Sequence, residues 1–267
     1  EYSKNIIYTG TTPNQNLQDF VPWVVQNLGT KFYFVGSDYV YPVQTNNQAK
    51  KLLEIEGGEV AGEEYLPLGH SEFSSILNEI READPDVIFS TLVGDSVASF
   101  YSQYADYGFS PEEMPIVSPA TAEPEVNAMA PEVAQGHYSS HAYFETVDTP
   151  ENDSFKEKYY AKYGDSDPLH VTAEAAYMSV HLLAEAMKKV EDPYDSDALL
   201  DAFIGLEFVS PQGKVKVDEN NHTWLYSRIA QIEENGEFQI IEESEEPIQP
   251  EPWSKLLFPD HEEPWKE

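Results

Sequence analysis

Cysteine is absent from the chain, so disulfides, thiolate metal sites and cysteine nucleophiles are excluded from the outset. That absence does not by itself separate one compartment from another. Basic residues are scarce. Fifteen Lys and Arg face 49 Asp and Glu, a formal net charge of -34. Such an excess excludes nucleic acid and anionic membrane surfaces as partners. No apolar run approaches a membrane span, so no membrane insertion is expected. Common chemistry motifs are missing too: there is no Gly-x-Ser-x-Gly, Walker A loop, His-Glu-x-x-His or Gly-x-Gly-x-x-Gly.

What is present suffices for a folded core. The 267 residues are 40% hydrophobic and 13% aromatic, enough for one large domain or two lobes. The acids are spread along the chain rather than gathered in a tail. A dispersed acidic shell stays soluble where salt screens its repulsion, and a saline habitat is the expectation.

Residues 12–144 alternate strand and helix with clear punctuation. A helix is predicted over 13–28, ended by Gly29, then a strand over 31–35 and a helix over 46–56 closed by Gly57-Gly58. Strand 59–66, helix 71–83, strand 86–92 and helix 96–107 follow. Strand 115–117, a short helix near 123–130 and strand 136–144 complete the run. Alternation of this length predicts a parallel sheet covered on both faces. From Thr149 three helices come in succession (149–163, 173–189, 196–204), with no strand between them. A strand from Pro211 and a hairpin follow; Asn235-Gly236 in its turn favours type I′ geometry.

Four strand ends open into polar, aromatic loops: Phe32–Pro42, Tyr65–Ser71, Phe89–Ser96 and Ile116–Glu123. Ligands of open α/β sheets sit outside the carboxyl ends of the strands, so these loops describe one wall of a crevice. They offer phenols, hydroxyls and carboxylates, not a nucleophile beside a base. That composition points to capture of a small polar molecule rather than chemistry on it.

These loops carry a resemblance. The chain resembles type I periplasmic solute-binding proteins, most closely those for urea and short-chain amides in ABC transporters, and the related amide-sensing regulator of aliphatic amidase. The matching residues span nearly the whole chain: Tyr8-Thr-Gly10, Pro13-Asn-Gln15, Val35-Gly-Ser-Asp-Tyr-Val-Tyr-Pro42, Gly57-Gly58, Glu63-Glu-Tyr-Leu-Pro-Leu68, Gly94-Asp-Ser96, Gly136-His-Tyr138, Asp148-Thr-Pro150, Glu174-Ala-Ala-Tyr177, Pro211-Gln-Gly213, Asn220-Asn-His222 and Pro250-Glu-Pro252. The resemblance implies an α/β fold of two doubly wound parallel-sheet lobes joined by three hinge crossovers, the N-terminal lobe incomplete here. Residues 1–11 would end lobe 1 and form the first crossover, and 12–144 would be lobe 2. Residues 145–210 would supply lobe 1 helices, 211–245 return to lobe 2, and 246–267 form a Pro-rich acidic tail. The implied function is extracytoplasmic capture of urea or a short amide and delivery to ABC permease subunits, with no cofactor, no metal and no catalysis. Location would be periplasmic or extracellular, with a signal peptide preceding Glu1. Alternatives are a cytoplasmic amide-responsive regulator, a branched-chain amino-acid binder, or an amidase using Asp95 and Glu123 as acid and base.

The resemblance places Tyr39 and Tyr41 against the ligand, and their i,i+2 spacing predicts one shared side of an extended segment. Asp95 could accept two N–H groups from an amide edge, or serve as an N-cap. An acid at this position is what the urea-type proteins share. Ser118, Thr121 and Glu123 end the next strand, where the hydroxyls could meet ligand or cap a helix. Glu174 matches a recurrent family acid on a lobe 1 helix. His137 and His141 have i,i+4 spacing but fall in a strand without a third ligand, so no metal site is expected.

Overall fold

Apolar residues in β1 (Lys31–Ser37) point alternately to the two faces of a sheet, and both faces are buried. Phe32 and Phe34 pack with Leu17, Phe20 and Val24 on one side; Tyr33 and Val35 pack with Leu77, Val97 and Phe100 on the other. The computed structural model describes residues 2–164 and 167–261. The final residues of the expected tail, 262–267, lie outside them.

The sheet has seven strands. β2 (Glu59–Leu66), β1, β3 (Val87–Thr91), β4 (Ile116–Ser118) and β5 (Tyr138–His141) lie side by side and parallel. β9 (Arg228–Ile232) and β10 (Phe238–Glu243) extend the edge antiparallel. Helices α1 (Pro13–Leu17), α2 (Phe20–Asn27) and α3 (Val40–Ile55) cover one face. The other carries α4 (Ser74–Ala83), α5 (Asp95–Asp106), α6 (Glu123–Asn127) and α7 (Pro131–Ala134).

Two helices differ from expectation at prolines. The helix predicted over 13–28 breaks at Gln18 and Asp19. Pro22 has no N–H to donate to the Gln18 carbonyl, so the ladder cannot cross that point. The helix predicted from residue 46 begins instead at Val40, directly after β1. Pro42 sits in its first turn, where a missing N–H costs nothing.

A smaller body follows. α8 (Pro150–Tyr163), α9 (Val171–Met187) and α10 (Ser196–Phe203) accompany an antiparallel sheet of β6 (Glu207–Ser210), β7 (Gly213–Val217) and β8 (Thr223–Trp224). Met178, Leu182, Phe203, Val215 and Val217 form its core. Pro211 and Gln212 were expected to start the return to the larger sheet. They turn β6 into β7, and the chain rejoins the large sheet at β9. The Tyr8 and His222 rings stack at 4.1 Å beside the smaller sheet, and the two bodies are tied where Arg228 of β9 donates to the Gln212 carbonyl at 2.7 Å. The predicted hairpin forms with a different turn. Gly236 alone of the turn residues has positive φ (82°), and its N–H bonds the Glu233 carbonyl at 2.9 Å. That is a three-residue loop rather than the type I′ turn, which needs positive φ at Asn235 as well.

Candidate functional site

The parallel strands run in the order β2-β1-β3-β4-β5, which reverses direction between β1 and β3. Loops leaving two such strands part to opposite faces, and a crevice opens between them. Tyr39 and Gly94-Asp95 stand at these strand ends. The floor is tied across by the Val93 N–H donating to Ser37 Oγ at 3.3 Å.

Tyr39 is extended (φ -161°, ψ -179°) and precedes the first turn of α3; Tyr41 lies within that turn. The two are therefore not successive residues of one extended segment, as the spacing predicts. Their rings still meet, with centroids 6.2 Å apart. The Tyr41 hydroxyl donates to the Pro119 carbonyl at 3.1 Å, closing the crevice toward the β4 loop. Burial raises both phenols above their ordinary range, so each stays protonated and able to donate.

Asp95 is the first helical residue of α5, and Gly94, at φ 62°, occupies the cap position. The Asp95 side chain is exposed, and among the described residues it takes no hydrogen bond. Next to it the Ser96 hydroxyl is buried, without a hydrogen-bond partner among the described residues. Sequence reasoning passed over Ser96, as it did the buried Thr91–Asn46 hydrogen bond of 3.0 Å beneath. Polar side chains at the mouth of an apolar strand were the available signal.

Ser118 and Thr121 reach the same edge but are engaged locally. Ser118 Oγ accepts from the Ala120 and Thr121 N–H groups, both at 3.0 Å, and Thr121 Oγ1 meets the Tyr101 hydroxyl at 3.2 Å. His137 accepts from the Ile116 N–H through Nδ1, and His141 Nε2 meets the Thr121 carbonyl at 2.8 Å. Burial lowers these imidazoles to about 3 and about 4, so both are neutral strand ties.

The remaining two acids face elsewhere. Glu123 accepts from the Glu145 N–H at 2.7 Å and lines a flank cavity shared with neither Asp95 nor the two tyrosines. Among the described residues no hydrogen bond joins Asp95 to Glu123. Glu174 is buried in the smaller body, where the Gln212 amide donates to it at 2.8 Å, and burial lifts its carboxyl to about 7. The Gln212 carbonyl in turn accepts from Arg228 at 2.7 Å, which couples Glu174 to the junction of the two bodies.

A profile described as "Periplasmic binding protein domain" matches residues 1–258. The chain belongs to that family. A curated relative from Brucella suis biovar 1 (strain 1330), "Leu/Ile/Val-binding protein homolog 6", is 28% identical over 228 residues, covering 81% of this chain and 58% of the relative. The chain thus matches little more than half the length of that relative. Among solved structures, a solute-binding protein of an ABC transporter from Rhodopseudomonas palustris HaA2, in complex with p-hydroxybenzoic acid, superposes with a TM-score of 0.83. It is 26% identical, with 91% of this chain and 68% of that chain covered. An amino acid ABC transporter substrate-binding protein from Pseudomonas fluorescens Pf-5 is 18% identical at a TM-score of 0.78, over 94% and 71% of the two chains, and shares the fold. Among the described residues no helix is long and apolar enough to cross a membrane.

Proposed function

We propose that this periplasmic binding domain is part of the solute receptor of an ABC importer and holds a small ligand bearing N–H donors at the β1/β3 crevice. The observation that carries the reading is the exposed, unengaged Asp95 carboxylate at the strand-order reversal, beside the paired Tyr39 and Tyr41. An ionised carboxylate only accepts hydrogen bonds, so it selects an ammonium or an amide. The aromatic faces supply an apolar flank for the ligand's body.

An amino acid meets these demands, and the name of the Brucella relative agrees. Urea or a short amide meets them as well, because two amide N–H groups match two carboxylate oxygens. The receptor would work outside the cytoplasm, closing on its ligand and presenting it to permease subunits, with binding shifting an open–closed equilibrium.

Calorimetric titration with leucine, acetamide, urea and 4-hydroxybenzoate tests this. Leucine or an amide should bind, and Asp95→Asn and Tyr39→Ala should each weaken it by about tenfold or more. Binding of 4-hydroxybenzoate alone, or of any of the four with no sensitivity to both substitutions, would sink the reading.

A further inference from the structure

Residues 211 and 212 form the short turn between β6 and β7, and both bodies hold on to it. From the large sheet, Arg228 donates to the Gln212 carbonyl at 2.7 Å. The same guanidinium donates to the Ala142 carbonyl just after β5 and to Glu243 on β10. From the start of α8, the Thr149 hydroxyl donates to the Pro211 carbonyl at 2.7 Å. A planar guanidinium with five N–H donors suits a post that fixes several acceptors at once. From α9, Glu174 takes the side chain of Gln212.

That last contact is incomplete as a carboxylate–amide pair. Gln212 Nε2 donates to Glu174 Oε2 at 2.8 Å, and the two residues are 2% and 0% exposed. Glu174 Oε1 and Gln212 Oε1 are both buried with no hydrogen-bond partner among the described residues. Two acceptors without donors in one buried pair are costly. An ionised carboxyl has no donor to offer, whereas a protonated one carries an O–H that matches an amide oxygen. One proton on Glu174 therefore serves both atoms.

We propose that Glu174 and Gln212 form a neutral carboxylic acid–amide pair that acts as a proton-operated tie between the two bodies. With the proton in place, the turn is fixed and Arg228 keeps the Gln212 carbonyl. Without it, a charge is left in a dry pocket with too few donors. Water or Arg228 itself must then reach the carboxylate, and either displaces the turn through which the bodies are joined. The tie stands apart from the crevice and does not depend on the ligand assigned there.

Burial agrees with this reading. It raises the Glu174 carboxyl to about 7, outweighing the Gln212 and Ser210 donors and the charge of Arg228. The titratable and charged groups facing it are Tyr143 after β5 and Arg228 on β9. On α9 itself His170 and Tyr177 stand one turn away on either side. The orientation of the smaller body against the large sheet should therefore change as pH rises through about 7.

Two measurements on the chain test this. By NMR, the Glu174 side-chain carboxyl carbon should titrate with a midpoint near about 7, above the range of an ordinary glutamate. Nitroxide labels at Ser75→Cys on α4 and Lys188→Cys at the end of α9, both exposed, report the distance between the bodies. The chain has no other cysteine to take a label. The distance distribution should shift with the same midpoint. Glu174→Gln should hold it in its low-pH form throughout, because a second amide can make both bonds of the pair. Glu123→Gln, which removes another buried acid, should leave the shift in place. A Glu174 midpoint in the ordinary glutamate range, a distance indifferent to pH, or a shift that survives Glu174→Gln would overturn the proposal.

Discussion

Glu123 shows how strongly a residue's surroundings set its chemistry. By sequence it is a helix-start acid like many others in the chain. In the structure it is buried, and burial raises its carboxyl from 4.5 to about 8. The folded state then holds a proton that the unfolded chain releases. Stability from this residue is therefore complete below about pH 4.5 and is lost as pH rises through about 8. Chemical denaturation midpoints of the wild type should fall across that window, and Glu123→Gln should flatten the fall. An equal decline in both proteins would assign the effect to other groups. Glu174, lifted to about 7 by burial, adds to the same downward slope.

At the scale of elements, turns and prolines decide where structure starts and stops. Pro22 splits one expected helix, and Pro42 was compatible with a helix start where a loop was expected. The β9–β10 hairpin depends on one left-handed position, Gly236 at φ 82°. A side chain there would be strained, so Gly236→Ala should destabilise the domain by about 1 kcal/mol. Asn235→Ala should cost less, because that residue does not take the left-handed conformation. Thermal melts of both variants check the ranking, and the reverse order would restore the type I′ reading. The smaller body shows another feature of this scale. Val180, Leu183 and Met187 on α9 stay exposed, at 66%, 40% and 42%, while Met178 and Leu182 are buried in its core.

Charge acts on the molecule as a whole. With a net charge of -34, self-repulsion opposes compaction at every pH where the carboxylates are ionised. The surface ion pairs, such as Lys51–Glu54 and Lys188–Glu185, are exposed and contribute little. Raising sodium chloride from about 0.1 M to about 1 M shortens the Debye length from about 10 Å to about 3 Å. The melting temperature should climb by several degrees over that range. A flat or falling curve would mean that the acidic shell is not the dominant long-range term, and the expected saline habitat would lose its physical basis.

Much of this was legible in the chain. Strand–helix alternation between residues 12 and 144 predicted the parallel sheet, because apolar runs, glycine stops and capping signals are local. The polar loops that follow β1 and β3 were legible as strand ends for the same reason. Which loops become neighbours was not legible, since strand order depends on how crossovers fold back over the sheet. Only the tertiary structure put the order reversal between β1 and β3. It turned Tyr41 inward onto Pro119, engaged Ser118 and Thr121 in local hydrogen bonds, and sent Glu123 and Glu174 away from the crevice. Residue order alone set which positions are apolar, acidic or conformationally special, and so the class of fold. The partners of each polar group, and with them its protonation, burial and availability to a ligand, were decided by contacts between residues far apart in the chain.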